Sequence, residues 1–570
     1  MIEGNMQGEL KSKPQVIVIG LDGATLNLIE PWVKAGYLPT LARLMEQGGY
    51  SRLMSVQPVV SAAAWPTFMT GMNPGNHGVY DFVYRDPESY QLRPVTRFNI
   101  DSPSLWHTLS QQDKRVCVLN VPITYPPEKV NGIMVSGLGT PDFATFTHPP
   151  EIGEELLQNG YQINRKVYKH RGNEENFLED TYRITDSVTA ASLSLLAKEP
   201  WDFFMVVYRD TDELSHGFWH HMDSTHPEHD PLLAEKYGDA ILDYYRYLDR
   251  QCAELIEAAG SDMTIFIVSD HGFGPFYKDV YLNEWLRQRG YLVNKGLSTS
   301  RTISTRLGIT RSNISKILRA TGLGYVERLI KNVLGNRIEI LPRTAWTDFS
   351  NGIDWPKTKA YSFGYQGQIY LNQAGREPDG IVEAGRESET LLQKLINELQ
   401  QLRDPDDGQL VVDKITRGDK LYSGNHAKQG PDLVITMRNY AYMTRLGHEL
   451  DNKPGEIFSP SRWQESGGHQ LDGVLIAAGP GIKPESSAMP QTWLGDIAPT
   501  IVHLLQCSAD NCKMDGRILE EWLVDGAKRL TNSEQDLGEE ELAGSSFKGD
   551  SLSQEEEDEL MKRLRSLGYL

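Results

Sequence analysis

The feature that most constrains this chain is the alternation of short, wholly apolar runs with longer segments of helical spacing. Apolar runs occupy residues 15–20, 116–121, 133–135, 202–208, 263–269, 433–436 and 474–478. Helical spacing marks residues 38–47, 189–198, 240–259, 387–401 and 497–505. A strand without polar alternation must be covered on both faces, and strands joined through helices run parallel. The pattern therefore predicts an α/β fold with a mainly parallel sheet between helical layers. No fixed-period repeat is present. With 39% hydrophobic and 24% charged residues, the chain can bury a large core.

The 570 residues exceed a typical domain roughly three- to fourfold. We expect one elaborated catalytic domain over residues 14–525. Within it, residues 276–349 break the strand–helix alternation. From Lys295 to Arg343, ten Lys or Arg face only Glu327 and Glu339, a local surplus of eight positive charges. This basic helical insertion is expected to be either a cap that attracts an anionic substrate or a solvated elaboration. Residues 526–570 read as an acidic flexible tail. It ends in a short amphipathic helix with Leu560, Leu564 and Leu567 on one face, which would dock on the core or on a second subunit in a homo-oligomer.

The net charge is −20, from 77 acidic and 57 basic residues. Such a chain repels nucleic-acid polymers and anionic membranes. No apolar run approaches the roughly 20 residues of a membrane-spanning helix, and the first residues lack the apolar core of a signal peptide. A cytoplasmic location is the expectation. Four cysteines are too few for a disulfide framework, and Cys507 and Cys512 read as ordinary thiols.

Chemistry concentrates at the ends of the apolar runs. Asp22-Gly23 follows the first. Asp210, Asp212 and His216 follow the run at 202–208. Asp270-His271-Gly272 follows the run at 263–269, and Gly467-Gly468-His469 precedes the run at 474–478. Open α/β sheets bind ligands beyond the carboxyl ends of their strands, and a mixed Asp/His set suits Zn²⁺ or Mn²⁺ better than Ca²⁺. A lone Asp-Gly is usually a turn and a lone His usually has no ligand; the ordered set carries the signal.

A fifth element reads Ser61-Ala62-Ala63-Ala64-Trp65-Pro66-Thr67-Phe68-Met69-Thr70-Gly71, followed by Asn73-Pro74-Gly75-Asn76-His77-Gly78. Pro66 has no N–H, so a helix should begin about three residues before it, leaving Ser61 at or just ahead of the N-terminus. That position favours an alkoxide and a bound phosphate; from the local sequence alone a capping serine is the preferred reading.

Taken together, LDG … S-x-x-x-W-P-T-F-x-T-G-x-x-P-x-x-H-G … D-x-x-x-H … SDHG … GGH resembles the alkaline phosphatase superfamily, and its type I phosphodiesterase/nucleotide pyrophosphatase branch most. The resemblance spans about residues 16–523. It implies an alkaline-phosphatase-like three-layer sandwich with two divalent metal ions, zinc first and manganese second. One ion would be held by Asp212, His216 and His469, the other by Asp22, Asp270 and His271. Ser61 falls on the nucleophile position. By the family mechanism it attacks phosphorus in line, forms a phospho-seryl intermediate, and is released by water. The expected substrate is a small anionic phosphate ester, a diester first. A phosphomonoesterase or phosphomutase, or a scaffold that merely keeps the fold, are the alternatives.

Some positions depart from the family. Where the nucleotide pyrophosphatases carry a phosphate-binding Asn, this chain has Phe82. Arg209 or Arg85 could supply that contact; each could equally form a structural salt bridge. The C/S-x-P-x-R pattern of sulfatases is absent, and so are the spanning helices of phosphoethanolamine transferases. His220 and His221 read as solvent-facing helix residues, Asp210 as support for the metal ligands, and Tyr361, Tyr365 and Tyr370 as strand packing rather than a substrate platform.

Overall fold

The computed structural model describes residues 15–167, 172–295, 349, 352–364, 366–444, 455–461, 465–485, 487–508, 513–528 and 552–567. Among them, nine strands build a central sheet. They are β1 (Gln15–Leu21), β2 (Gly49–Met54), β3 (Val116–Val121), β4 (Gly132–Ser136), β5 (Thr147–His148), β6 (Phe203–Tyr208), β7 (Met263–Val268), β8 (Asp472–Ala478) and β9 (Thr492–Trp493). Their spatial order is β9-β2-β8-β7-β1-β6-β3-β4-β5. The middle of the sheet, β7-β1-β6-β3-β4, is parallel throughout. Toward the edges, β8 runs antiparallel to β2 and β7, and β5 antiparallel to β4.

The apolar runs are continuous because each strand is buried on both faces. Val16 and Val18 of β1 join one core cluster and Ile17, Ile19 and Leu21 the other; Met205 and Val207 of β6 part from Phe204, Val206 and Tyr208 in the same way. This is the two-residue period of a strand with two apolar surroundings. Helix α1 (Ser61–Thr70) packs on the first face. Helices α2 (Glu174–Leu196), α3 (Asp210–Met222) and α4 (Ala240–Ala259) pack on the second.

The run at 433–436 does form a strand, Leu433–Met437, but in a second sheet. There it lies between Gln368–Leu371 and Tyr442–Thr444. Apolar content reports burial and not the partner, so the sequence pattern could not assign the sheet. Lys278–Val280 also belongs to this second sheet. Val280, Leu282, Trp285 and Leu286 are buried in its core. Residues 276–295 are thus core structure; residues 296–348, which carry nearly all of the basic surplus, lie outside the described residues.

The C-terminal helix α5 (Gln554–Leu567) docks on this same chain. Leu560 and Leu564 are buried. Glu557 meets Arg93 at 3.3 Å, Glu556 accepts from the Tyr125 hydroxyl, and Arg563 bonds the Thr140 carbonyl and Asp142. No helix among the described residues is long and apolar enough to cross a membrane.

Candidate active site

β1 delivers Asp22 to a turn in which Gly23 has φ +67°. A Cβ on Gly23 would stand 3.1 Å from the Asp212 Cβ, and the Gly23 N–H donates to Asp270 Oδ1 at 3.2 Å. Handedness and close approach both call for glycine here. β7 ends at Val268 and delivers Asp270 and His271 beside Asp22. β6 leads into α3, where Asp212 and His216 are one turn apart on one face, with Oδ1 and Nε2 3.4 Å apart. His469 arrives on strand Gly467–Gln470, which pairs antiparallel with Gly272–Pro275. Three strand ends and one two-stranded ribbon therefore converge on one point.

The ligand atoms face inward. His469 Nε2 lies 3.1 Å from Asp212 Oδ1 and 3.0 Å from His216 Nε2. His271 Nε2 lies 3.4 Å from Asp270 Oδ2, 3.7 Å from Asp22 Oδ1 and 3.9 Å from Asp212 Oδ1. On the far side of each ring, Nδ1 meets a backbone carbonyl: Gly467 for His216 at 2.8 Å, Gly272 for His271 at 3.0 Å, and Val59 for His469 at 3.0 Å. A carbonyl only accepts, so these contacts assign the proton to Nδ1 and leave each Nε2 lone pair pointing into the cluster.

The donor set fits divalent cations. Three carboxylates and three imidazole lone pairs are buried together. Among the described residues, no Lys or Arg pairs with Asp22 or Asp270. Asp270 Oδ2 is buried without a hydrogen-bond donor. Uncompensated buried charge of this kind is costly unless a cation completes it. Asp212, His271 and His469 form one group close enough to hold an ion, and Asp22, Asp270 and His271 a second; His216 joins the first group through its contacts with Asp212 and His469. The backbone carbonyls behind the histidines are the outer partners that metal-binding imidazoles need. Without a cation, burial first and the Asp270 and Asp212 charges next push Asp22 well above the usual carboxylate range. Burial, then Asp212, pushes Asp270 up to about 6. Burial, with His469 beside it, lowers His271 to about 3.

Ser61 is the first residue of α1, capped by Val60 in extended backbone. Its Oγ lies 3.1 Å from His271 Nε2 and 3.4 Å from Asp22 Oδ1. The helix begins five residues before Pro66, earlier than expected. Pro66 removes one bond of the ladder, and burial of the whole helix outweighs that loss. Trp65, one turn after Ser61, donates its indole N–H to Asp22 Oδ2 at 3.1 Å. Gly20 makes room for it, since a Cβ there would stand 2.8 Å from the indole ring. Trp65 was in the motif but had no assigned role; its i, i+4 spacing from Ser61 was the available signal. His77 is also structural. Its Nδ1 accepts from Val79 N and its Nε2 meets Thr67 Oγ1 at 2.9 Å, tying the P-x-x-H-G turn to α1.

The remaining candidates separate clearly. Phe82 is fully buried in the apolar core. Arg85 meets Glu377 at 3.6 Å and lies over the Tyr90 ring. Asp210 is held by Arg165, which also reaches Thr181 and sits over Phe177. His220 and His221 are buried, not solvent-facing. Both sides of α3 are covered: His220 Nδ1 meets Ser466 Oγ at 2.8 Å, and His221 packs against Phe218 and Tyr237. Tyr361 and Tyr370 are buried with their rings stacked 5.5 Å apart; Tyr365 lies outside the described residues.

The pattern of the type I phosphodiesterase / nucleotide pyrophosphatase family matches residues 16–456, most of the chain. The chain belongs to this family. This phosphodiesterase-family protein is therefore a phosphoric ester hydrolase of the nucleotide pyrophosphatase/phosphodiesterase type, with an alkaline-phosphatase-like fold. Its fold is similar to that of phosphonoacetate hydrolase from Sinorhizobium meliloti 1021. The complex with phosphonoformate gives a TM-score of 0.51 at 16% identity over 86% of this chain and 96% of that one. The complex with phosphonoacetate gives 0.52 at 15% identity over the same shares. Human ectonucleotide pyrophosphatase / phosphodiesterase 5 aligns with a TM-score of 0.45 at 12% identity, over 89% of this chain and 99% of that one. No curated protein sequence matches the chain.

Proposed function

We propose that this family member is a two-metal-dependent phosphodiesterase that uses Ser61 as its nucleophile. The observation that supports it is the convergence of six buried Asp and His side chains around the Ser61 hydroxyl. Asp212, His216 and His469 would hold one cation and Asp22, Asp270 and His271 the other, with zinc the first candidate and manganese the second. The cations supply a lowered serine pKa and offset charge on the phosphoryl oxygens.

The chain's own groups do the rest. Ser61 presents Oγ from the first turn of α1, where free backbone N–H groups favour phosphoryl oxygens. Trp65 fixes the orientation of Asp22, and so the place where Oγ rests. Burial excludes bulk water from Oγ until it has attacked phosphorus. As the P–Oγ bond forms, one ester P–O bond breaks and that alcohol leaves with the proton given up by Ser61. Water then attacks the same phosphorus, the P–Oγ bond breaks, Ser61 regains its proton and the remaining phosphomonoester is released.

The test is hydrolysis of an aryl phosphodiester beside the matching monoester, with Zn²⁺, with Mn²⁺ and after chelation, for the wild type and Ser61→Ala. Faster diester cleavage that needs metal and Ser61 sustains the proposal. Faster monoester cleavage keeps the mechanism and changes the substrate class. No turnover of either ester by folded, metal-loaded protein overturns it.

A further inference from the structure

Five of the six ligand candidates stand on β1, β7 and α3. The strands belong to the large central sheet. The first turn of α3 has its own anchors: the Arg209 carbonyl accepts from Asp212 N at 3.2 Å and Glu213 N at 3.3 Å, and the Arg165 and Arg209 charges lie beside Asp210. His469 is placed differently. Its strand, Gly467–Gln470, pairs only with Gly272–Pro275 among the described residues, and a two-stranded ribbon is marginal by itself. The support for His469 has to come from outside the ribbon.

The second sheet supplies it through Gln366. This residue lies between the paired strands Ala360–Tyr361 and Gln368–Leu371. Its Nε2 donates to the His469 carbonyl at 3.3 Å and to Met443 Sδ at 3.7 Å. Met443 in turn packs on the ribbon, since a Cβ on Gly468 would stand 2.8 Å from its Cε. Gln366 is buried, and its φ is +59°. A left-handed backbone is disfavoured for such a side chain and persists only where the surroundings impose it. Here the Thr444 hydroxyl accepts from Gly367 N at 2.8 Å and donates to the Gly364 carbonyl at 3.2 Å, bracketing Gln366 from both sides. Ile435 N donates to the Gly367 carbonyl at 3.0 Å and ties the same loop to the sheet. Glycine would adopt this backbone without strain. What glutamine adds is the amide, and the amide reaches the backbone of a metal-ligand candidate.

We propose that Gln366 is a positioning residue for His469. From the second sheet it fixes the depth of the ribbon, and with it the point where His469 Nε2 meets Asp212 at 3.1 Å and His216 at 3.0 Å. This rests on the metal-binding reading of the six-residue cluster, and it gives the second sheet a part in that site. Gln366 sets the affinity of the cation position shared by Asp212, His216 and His469. Asp22, Asp270 and His271 stand at strand ends of the central sheet, so the other position should respond little.

Gln366→Gly and Gln366→Ala test it together. Both lose the amide, but only glycine adopts the left-handed backbone freely, so the two variants burden the fold differently. Zinc binding to the full chain is resolved into its two constants by chelator competition, and His469→Ala identifies the constant that belongs to the His469 position. Tm is measured on the chelated proteins. Both Gln366 variants should weaken the His469 constant by about ten- to a hundredfold, the range for outer partners of metal ligands, and leave the other little changed. Gln366→Ala should lower the Tm of the chelated protein more than Gln366→Gly does. Unchanged constants in both variants overturn the proposal while leaving the metal site standing. A loss of affinity that follows Tm, present in Gln366→Ala and absent in Gln366→Gly, also overturns it, because the role is then structural. So does an equal fall in both constants. A wild type that binds no zinc removes the metal-binding reading itself, and the positioning role with it.

Discussion

His216 Nε2 and His469 Nε2 face each other at 3.0 Å, each ring with its Nδ1 against a backbone carbonyl. Two lone pairs at that distance repel unless a cation takes both. Metal should therefore stabilise the folded protein strongly. At a hundredfold excess over the dissociation constant, one site contributes about 2.7 kcal/mol. Calorimetric unfolding should show a higher Tm with Zn²⁺ than after chelation, and metal analysis should find two ions per chain. His469→Ala should lose much of this gain while leaving the chelated protein little changed. Equal Tm values with and without metal would refute the assignment.

Ser61→Ala separates nucleophile from ligand. The Ser61 hydroxyl stands among the candidate metal-binding side chains, yet on the proposed assignment the buried carboxylates and imidazoles do not need it to hold a cation. Ester hydrolysis should fall by about a thousandfold or more. The metal-dependent Tm increase should persist. Retention of activity within a factor of ten would remove Ser61 from the mechanism.

Acidity gives an independent check on the metal-free protein. Burial, then the Asp212 charge, pushes the Asp270 carboxyl up to about 6, above its unfolded value, so the folded chain binds this proton more tightly than the unfolded one. Its contribution to stability is then present at low pH and is lost as pH rises from about 4 through 6, on the order of 3 kcal/mol in all. Asp22, also raised by burial first, acts in the same direction. Denaturant unfolding of chelated protein at pH 4 and pH 8, for wild type and Asp270→Asn, should show the wild type losing ground to the variant as pH rises. Metal competes with these protons, so zinc binding should release protons and strengthen with pH. A difference between wild type and variant that does not change with pH would contradict this.

Much of the fold could be read from the sequence because burial on two faces leaves an unbroken apolar run. β3 and α4 match the expected residues 116–121 and 240–259, and β1, β6 and β7 differ by a residue at an end. What the runs could not reveal is partnership. Leu433–Met437 looked like one more central strand and lies in the second sheet. α2 extends far ahead of its expected start because Asp180, Thr181 and Thr185 make its buried face partly polar, and periodicity scores such residues as exposed. In the site, residue types and order brought Asp22, Asp212, His216, Asp270, His271 and His469 to one place. Arg165 carried no signal, since its hold on Asp210 joins residues distant in the sequence.

The link from Gly20 to Trp65 to Asp22 yields a prediction at a residue that touches no metal. The Trp65 indole lies against the backbone of β1 because Gly20 has no Cβ, and from there it donates to Asp22 Oδ2 at 3.1 Å. Trp65→Phe removes the donor, and Gly20→Ala pushes the ring at 2.8 Å with Val207 equally close on another side. Outer partners of metal ligands typically account for ten- to a hundredfold in metal affinity. Both variants should therefore bind zinc about ten- to a hundredfold more weakly in a chelator competition, with the six donor residues unchanged. Excess zinc should recover most of the activity, because Ser61 and all the donors are still present. A loss of kcat that excess zinc does not relieve would mean that Trp65 positions Ser61 itself rather than Asp22.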